Sequence, residues 1–247
     1  MTDKEAEYFI KILDSIKYTP NIFTIAVSEE KVIIGALTPD EPPIQKFFSI
    51  ATVYNSIVDV NDKIQFSLRE SIKLTEELEQ KDWNPIKDTN EKEWRSIYYM
   101  ENAIFRIEIL WDLLAQLFNL AKEIGKDNTK IHTKQFFHDC QQGKKASEFA
   151  KKIYNYMILE DNCDVEPWEG NYEYVKNYRD KMSHRNSPSV TTFSKYDTAI
   201  RLPTIYILKR VIEDYLFVSA YIQELVNEII PEYKYLEPLF NKGDNNA

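Results

Sequence analysis

The chain has 247 residues and a net charge of −9, from 31 Lys and Arg against 40 Asp and Glu. That acidity opposes nucleic-acid binding over the whole surface, which draws on many cationic contacts to phosphate, and leaves room for a local basic site. Five glycines are too few for a Gly-rich nucleotide loop or a turn-dense β protein, and the sequence holds no run of about 18 apolar residues to span a membrane.

Residues 3–17 read as a helix, with Tyr8, Phe9, Ile12, Leu13 and Ile16 on one face and Pro20 closing the run. Two β-branched runs at 22–27 and 31–37 flank Ser28-Glu29-Glu30 and predict a small hairpin, after which the Pro-rich stretch 38–43 breaks the chain. A long helical pattern then covers about 44–79, through Phe47, Phe48, Ala51, Val58, Ile64, Leu68, Ile72 and Leu78. Asn55, Asp59 and Asp62 interrupt its stripe. Beyond a loop at 82–89, a second long helix spans about 90–124. Its apolar face, from Ile97 through Trp111 to Ala121, is broad enough to pack on several neighbours or on a second subunit, and Gly125 is its expected stop.

Shorter helices follow at 133–142 and 144–159, then an acidic loop at 160–168. A helix at 169–184 and a polar loop at 185–192 lead to a last long helix over about 203–230, opened by Pro203 and ended by Pro231. The tail at 236–247 is expected to be flexible. The expected fold is mainly α: an up-and-down antiparallel helical bundle over 44–235, with 1–43 as an accessory helix and β-hairpin. There is no internal repeat of the solenoid kind.

One segment stands apart, Tyr178-Arg-Asp-Lys-Met-Ser-His-Arg-Asn186. Lys176, Arg179, Lys181 and Arg185 gather there against Asp180 alone, and His184 is one of only three histidines in the chain. Five helical residues turn by about 140° and rise by about 7.5 Å, so Arg179 and His184 share no face of an ideal helix. A helix that stops at 183 or 184 leaves the imidazole free to turn back, and the dipole of its C-terminus favours the imidazolium. A guanidinium and an imidazole that converge can bind a phosphate and move protons on it. That pairing suits RNA cleavage by attack of the ribose 2′-OH on its own phosphate. Arg179 would stabilise the phosphorane charge and His184 would act as general base or acid, with no metal required.

Arg-x-x-x-x-His at the end of a helix in an all-α bundle resembles the signature of the HEPN superfamily. Arg179 and His184 are the matching residues, and Asp180 falls where that family often has a polar residue. The resemblance covers roughly 44–230 in architecture. It implies a helical bundle of HEPN type, a homodimer with two motifs facing across the interface, and no cofactor. It also implies a metal-independent endoribonuclease leaving a 2′,3′-cyclic phosphate. Such enzymes serve toxin–antitoxin, abortive-infection and other defence systems, where an antitoxin or other protein is the partner. Some members are instead non-catalytic modules that bind RNA, a nucleotide or a protein. Asn186 departs from one toxin subgroup, which has tyrosine two positions after the histidine, so that subgroup's partner system is not implied.

Each assignment has a plainer competitor. For Arg179 and His184 it is a surface helix end with Asp180 and His184 paired at i,i+4. Glu101, Glu108 and Asp112, acids within the apolar pattern of the second long helix, are candidates to orient Arg179 or His184 across the bundle; the competitor is a charged edge beside the stripe, and Arg106 is similar. Lys176, Lys181, Arg185 and Tyr178 are candidate RNA contacts, and Lys144, Lys145, Lys151 and Lys152 form a second basic group, each against a solvated helix face. Tyr172, Tyr174 and Tyr178 either stack bases or pack in the core. His132, His138 and Cys140, with Cys163 beyond, match no common zinc spacing, and no neighbour of Cys140 activates its thiol. No metal is therefore expected. The polar N-terminus carries no signal-peptide pattern and the two cysteines form no disulfide framework, which points to a reducing cytoplasm.

Overall fold

The structure is a computed structural model that describes residues 1–19, 22–23, 42–76, 78, 83–87, 89–143, 147–161, 168–184, 187–193 and 198–233, with the backbone alone at 42–44, 161, 168, 184 and 233. Seven helices dominate these residues: α1 (Asp3–Ser15), α2 (Pro42–Glu76), α3 (Glu91–Ala121), α4 (Thr133–Gln142), α5 (Glu148–Met157), α6 (Asn171–His184) and α7 (Thr204–Tyr233). Among the described residues, no helix is long and apolar enough to cross a membrane. The hairpin expected at 22–37 and the tail at 236–247 lie outside them, apart from Ile22 and Phe23.

The helix starts follow from local chemistry. Thr2 and Glu5 form a reciprocal capping box on α1, and the Asn90 side chain accepts from the backbone N–H of Glu93 at the start of α3. The α3 helix ends at Ala121, short of Gly125. The Asn119 side chain ties down the following turn through Lys126 and Asn128, while Glu123 and Gly125 take positive φ of 50° and 79°. The last helix runs on through Pro231, where an end was expected. A proline keeps helical φ but removes one hydrogen bond, and only two residues follow it before the helix ends.

Cross-links give the helix directions. Lys46 reaches Ala121 while Ser71 reaches Ser96, so α2 and α3 are antiparallel. Glu93 meets Thr204 and Lys122 meets Glu228, so α3 and α7 run parallel. Tyr178 meets Glu101 while Tyr172 packs on Trp111, so α6 descends between them. Thus α2, α3, α6 and α7 alternate in direction, with α4 and α5 as a short pair between α3 and α6. One apolar core joins all of them, and α1 shares it through Phe9, Leu13 and Ile16.

Two very short strand pairs stand where the sequence predicts the loop 160–168 with the helix start at Glu169, and the end of the loop 185–192 with no element at 193–202. In β1 (Glu160–Asp161) and β2 (Trp168–Glu169), Glu160 pairs with Glu169; in β3 (Thr192–Phe193) and β4 (Thr198–Ala199), Thr192 pairs with Ala199. Strands of two residues carry no alternation to detect.

Candidate functional site

The start of α6 is fixed before its chemistry begins. Gly170 passes so close under the Leu159 carbonyl that a Cβ there would lie 2.1 Å from the oxygen. Just beyond it, the buried Asn171 accepts from Arg210 Nε at 2.9 Å and donates to Glu213 at 2.7 Å, which pins α6 to α7. The Arg210 guanidinium also lies 3.9 Å from the Tyr174 ring centroid.

Arg179 lies one and a half turns before the end of α6. Its Nη2 donates to Glu108 Oε2 of α3 at 3.2 Å and its Nη1 meets Asp180 Oδ1 at 3.2 Å, while Nε is buried without a partner. The side chain remains 31% exposed, so a phosphate can compete with those carboxylates. Burial pushes the Glu108 carboxyl above its ordinary range, and Arg179 pulls it back. Of the three acids expected to orient the motif, Glu108 alone meets Arg179. Glu101 accepts from Ser187 Oγ at 3.0 Å and Tyr178 Oη at 3.4 Å, and burial raises its carboxyl against those bonds. Asp112 instead accepts from the Thr133 hydroxyl at the start of α4. Arg106 turns back to Asn102, one turn earlier on its own helix.

The His184 backbone is the last helical position of α6. By that position it stands about 140° around the axis from Arg179, on the stripe of Asn177 and Lys181. Arg185 lies outside the described residues, as do Cys163, Lys144 and Lys145.

The Arg179 stripe opens on a cleft of about 520 Å³ between α3, α4, α5 and α6, whose walls include Lys134, Lys176, His132, His138 and Asp112. Glu173 holds both lysines, Lys134 at 2.8 Å and Lys176 at 3.9 Å. The His138 ring sits between the Gln135 and Gln142 amides, 5.0 Å from the Tyr154 ring. Cys140 is buried, with its thiol pushed up to about 11 by desolvation, so it is neither an activated nucleophile nor a ready ligand. Among the described residues no group of three or more His, Cys, Asp or Glu side chains is arranged to hold a metal ion.

The expectation that Tyr178 contacts RNA needs correction. Tyr172 and Tyr178 are each 3% exposed and belong to the core, because α6 turns that stripe toward α3 and α7. Desolvation drives the Tyr178 phenol well above its ordinary range, and its hydroxyl is spent on Glu101. Lys181 is exposed, as a backbone contact would require, whereas Lys151 and Lys152 pair with Glu148 and Glu224 on a solvated face.

Two features escaped the sequence reading. Beside the second wall of α6 is a pocket formed with residues of 187–192 and 199–202, among them the apolar Val190, Ile200 and Leu202. On α3, Trp94, Tyr98, Phe105 and Ile109 are 58%, 53%, 42% and 46% exposed along one stripe, with Trp94 stacked on Tyr98 at 5.9 Å. Their 4–7–4 spacing was available as a signal, but it sits beside a buried stripe that masks it. Compared with protein-family models, curated proteins and solved structures, the chain finds no match.

Proposed function

We propose that the chain is a metal-independent endoribonuclease of HEPN type, acting through Arg179 and His184. The observation that supports this best is the placement of Arg179, a half-buried guanidinium braced by Glu108 at the rim of an open cleft, on a helix whose last residue is His184. In the proposed reaction the ribose O2′ loses its proton to a histidine and bonds to phosphorus. The P–O5′ bond then breaks, and O5′ takes a proton from a second histidine. Arg179 neutralises the phosphorane oxygens. Defence or toxin systems are the setting that the resemblance implies.

Two histidines call for two chains, and the exposed α3 stripe is the face proposed to join them. An apolar stripe this continuous, alongside Glu101 and Glu108 that touch α6, fits a homodimer that brings both motifs to one groove. The double substitution Tyr98→Glu and Phe105→Glu should leave the helical content unchanged, since exposed positions cost about 0.5 kcal/mol or less. It should convert a dimer to a monomer in sedimentation velocity; a wild type that is monomeric throughout the micromolar range would exclude the interface.

A second reading is favoured by the two carboxylates on Arg179, which offset the charge a phosphorane needs while leaving the groove open: a non-catalytic module holding RNA, a nucleotide or a protein in the same groove. Incubation of labelled single-stranded RNA with the protein in EDTA separates the two. Products with 2′,3′-cyclic phosphate ends, absent with His184→Ala and with Arg179→Ala, support the ribonuclease; binding without cleavage by a folded dimer supports the module.

A further inference from the structure

The opposite wall of α6 from Arg179 holds a cavity of about 120 Å³, open to solvent and lined on its far side by residues of 187–192 and 199–202. Its rim is apolar and unusually bare: Val190, Ile200 and Leu202 are 57%, 60% and 43% exposed. Its α6 side is polar. Asn177 gives one amide proton to Glu169, which fixes the amide and leaves Oδ1 as an acceptor. Lys181 brings an ammonium that has no carboxylate partner among the described residues. Aliphatic side chains on the far wall, Tyr174 and Tyr178 on the α6 wall, and neutral polar groups at Asn177, Ser187 and Thr192 fit a flat, polar-edged ring, with the Glu169 carboxylate of the same lining engaged by Asn177. At about 120 Å³ the cavity is smaller than the roughly 150 Å³ that encloses benzene, so it takes at most part of a single ring, whose remainder stays in solvent at the open side.

The rim is held in place from beneath. Arg201, 4% exposed, lies between Ile200 and Leu202. It donates to Glu93 Oε1 at 2.6 Å and to the Asn84 carbonyl at 2.7 Å, so the residues on either side of it are fixed relative to α3. A preformed wall of exposed aliphatic groups gains from being covered, at no ordering cost to the chain. Lys181 precedes the His184 backbone by three residues, on the same stripe of the helix and about 4.5 Å along it. A ring seated here is therefore within one nucleotide of the helix end.

We propose that this pocket is a base subsite that takes a single-ring, pyrimidine nucleobase of a single-stranded RNA. The base lies between the Val190, Ile200 and Leu202 side chains, and Asn177 and Lys181 address its edge, as proteins read an unstacked RNA base. The inference rests on the ribonuclease reading for its meaning, but nucleoside binding itself requires neither a phosphate nor a cleaved bond.

The test is a titration of the full-length protein with uridine, cytidine, adenosine and guanosine, followed by saturation-transfer NMR and calorimetry. Uridine or cytidine should bind, and both Ile200→Glu and Lys181→Gln should weaken that binding by about fivefold or more, with circular dichroism unchanged because both positions are exposed. Purine nucleosides binding as tightly as the pyrimidines would overturn the assignment. So would binding that neither substitution affects, or no nucleoside binding at all. A protein that binds uridine in this way yet cleaves no RNA keeps the subsite and loses the ribonuclease reading; one that cleaves RNA but binds no nucleoside does the reverse.

Discussion

His184→Ala should reduce the rate of RNA cleavage by about 10²–10⁴-fold, the range supplied by a positioned general acid or base. Arg179→Ala should cost about 10²–10³-fold through loss of charge stabilisation on the phosphorane. The Arg179→Lys variant sharpens this result. Lysine keeps the charge but loses the planar fork that meets both Glu108 and a phosphate, so it should recover only part of the rate. If His184 serves as base in one chain and as acid in the partner, the rate must fall on both sides of an optimum, because one imidazole has to be neutral and the other charged. Mixed dimers of wild-type and His184→Ala chains provide the cleanest form of the measurement. If the two chains build one site with a histidine from each, the mixed dimer should be as slow as the His184→Ala homodimer, whereas about half of the wild-type rate would mean that each chain works with its own histidine. Cleavage by His184→Ala at the wild-type rate would remove the histidine from the mechanism and the ribonuclease reading with it.

The main helices were legible because burial writes a 3.6-residue period into sequence. The expected helix at 133–142 is α4 itself, and the apolar stripe of α3 carries the core positions Ile97, Met100, Ile104 and Ile107. Polar residues were less legible, because periodicity says which face is inside but not which charged side chain goes in with it. No spacing marks Arg201, which is a buried tie between Glu93 and the Asn84 carbonyl, or Asp214, which is fully buried. Within the motif, local chemistry identified the Arg179 position, whereas its partner among Glu101, Glu108 and Asp112 depended on how α6 lies across α3. Those three acids lie within about 40° of one another on one stripe of α3, so position along the axis, set by where α6 crosses, decides between them, and only Glu108 falls opposite the guanidinium.

Asp214 gives the largest expected effect on stability. It accepts from Trp111 Nε1 at 3.1 Å and from Tyr156 Oη at 2.9 Å, deep between α3, α5 and α7. Desolvation pushes its carboxyl up to about 7, against those two hydrogen bonds. In the unfolded chain the same group titrates near 3.8. Between these two values the folded protein holds a proton that the unfolded chain has released. Stability therefore falls as pH rises through that window, and the contribution is lost above the folded value. A gap of this size corresponds to about 4 kcal/mol. Glu101 and Glu108, also raised by burial, act in the same direction. Glu5, held down to about 2 first by its hydrogen bond with Lys209, acts in the opposite direction, from its ordinary 4.5 downward and so below the pH 5 and 8.5 of a comparison across the window.

Asp214→Asn isolates the carboxyl, because an asparagine can accept from Trp111 and donate to the Tyr156 oxygen in the same place. Urea unfolding of the wild type at pH 5 and at pH 8.5 should show the higher stability at pH 5. The variant should show most of that difference removed and should be the more stable of the two proteins at pH 8.5. An unchanged slope in the variant would assign the pH dependence to other groups. The consequence reaches the cleft, because the Trp111 ring stands edge to face with Tyr172 at 5.3 Å, and Tyr172 lines the wall beside Arg179. Ionising Asp214 strengthens its bond from Trp111 but leaves a fully buried charge directly beneath that contact. A fall in cleavage above pH 7 that the asparagine variant escapes would trace to this carboxyl beneath the site, while a fall shared by both proteins would belong to the histidines.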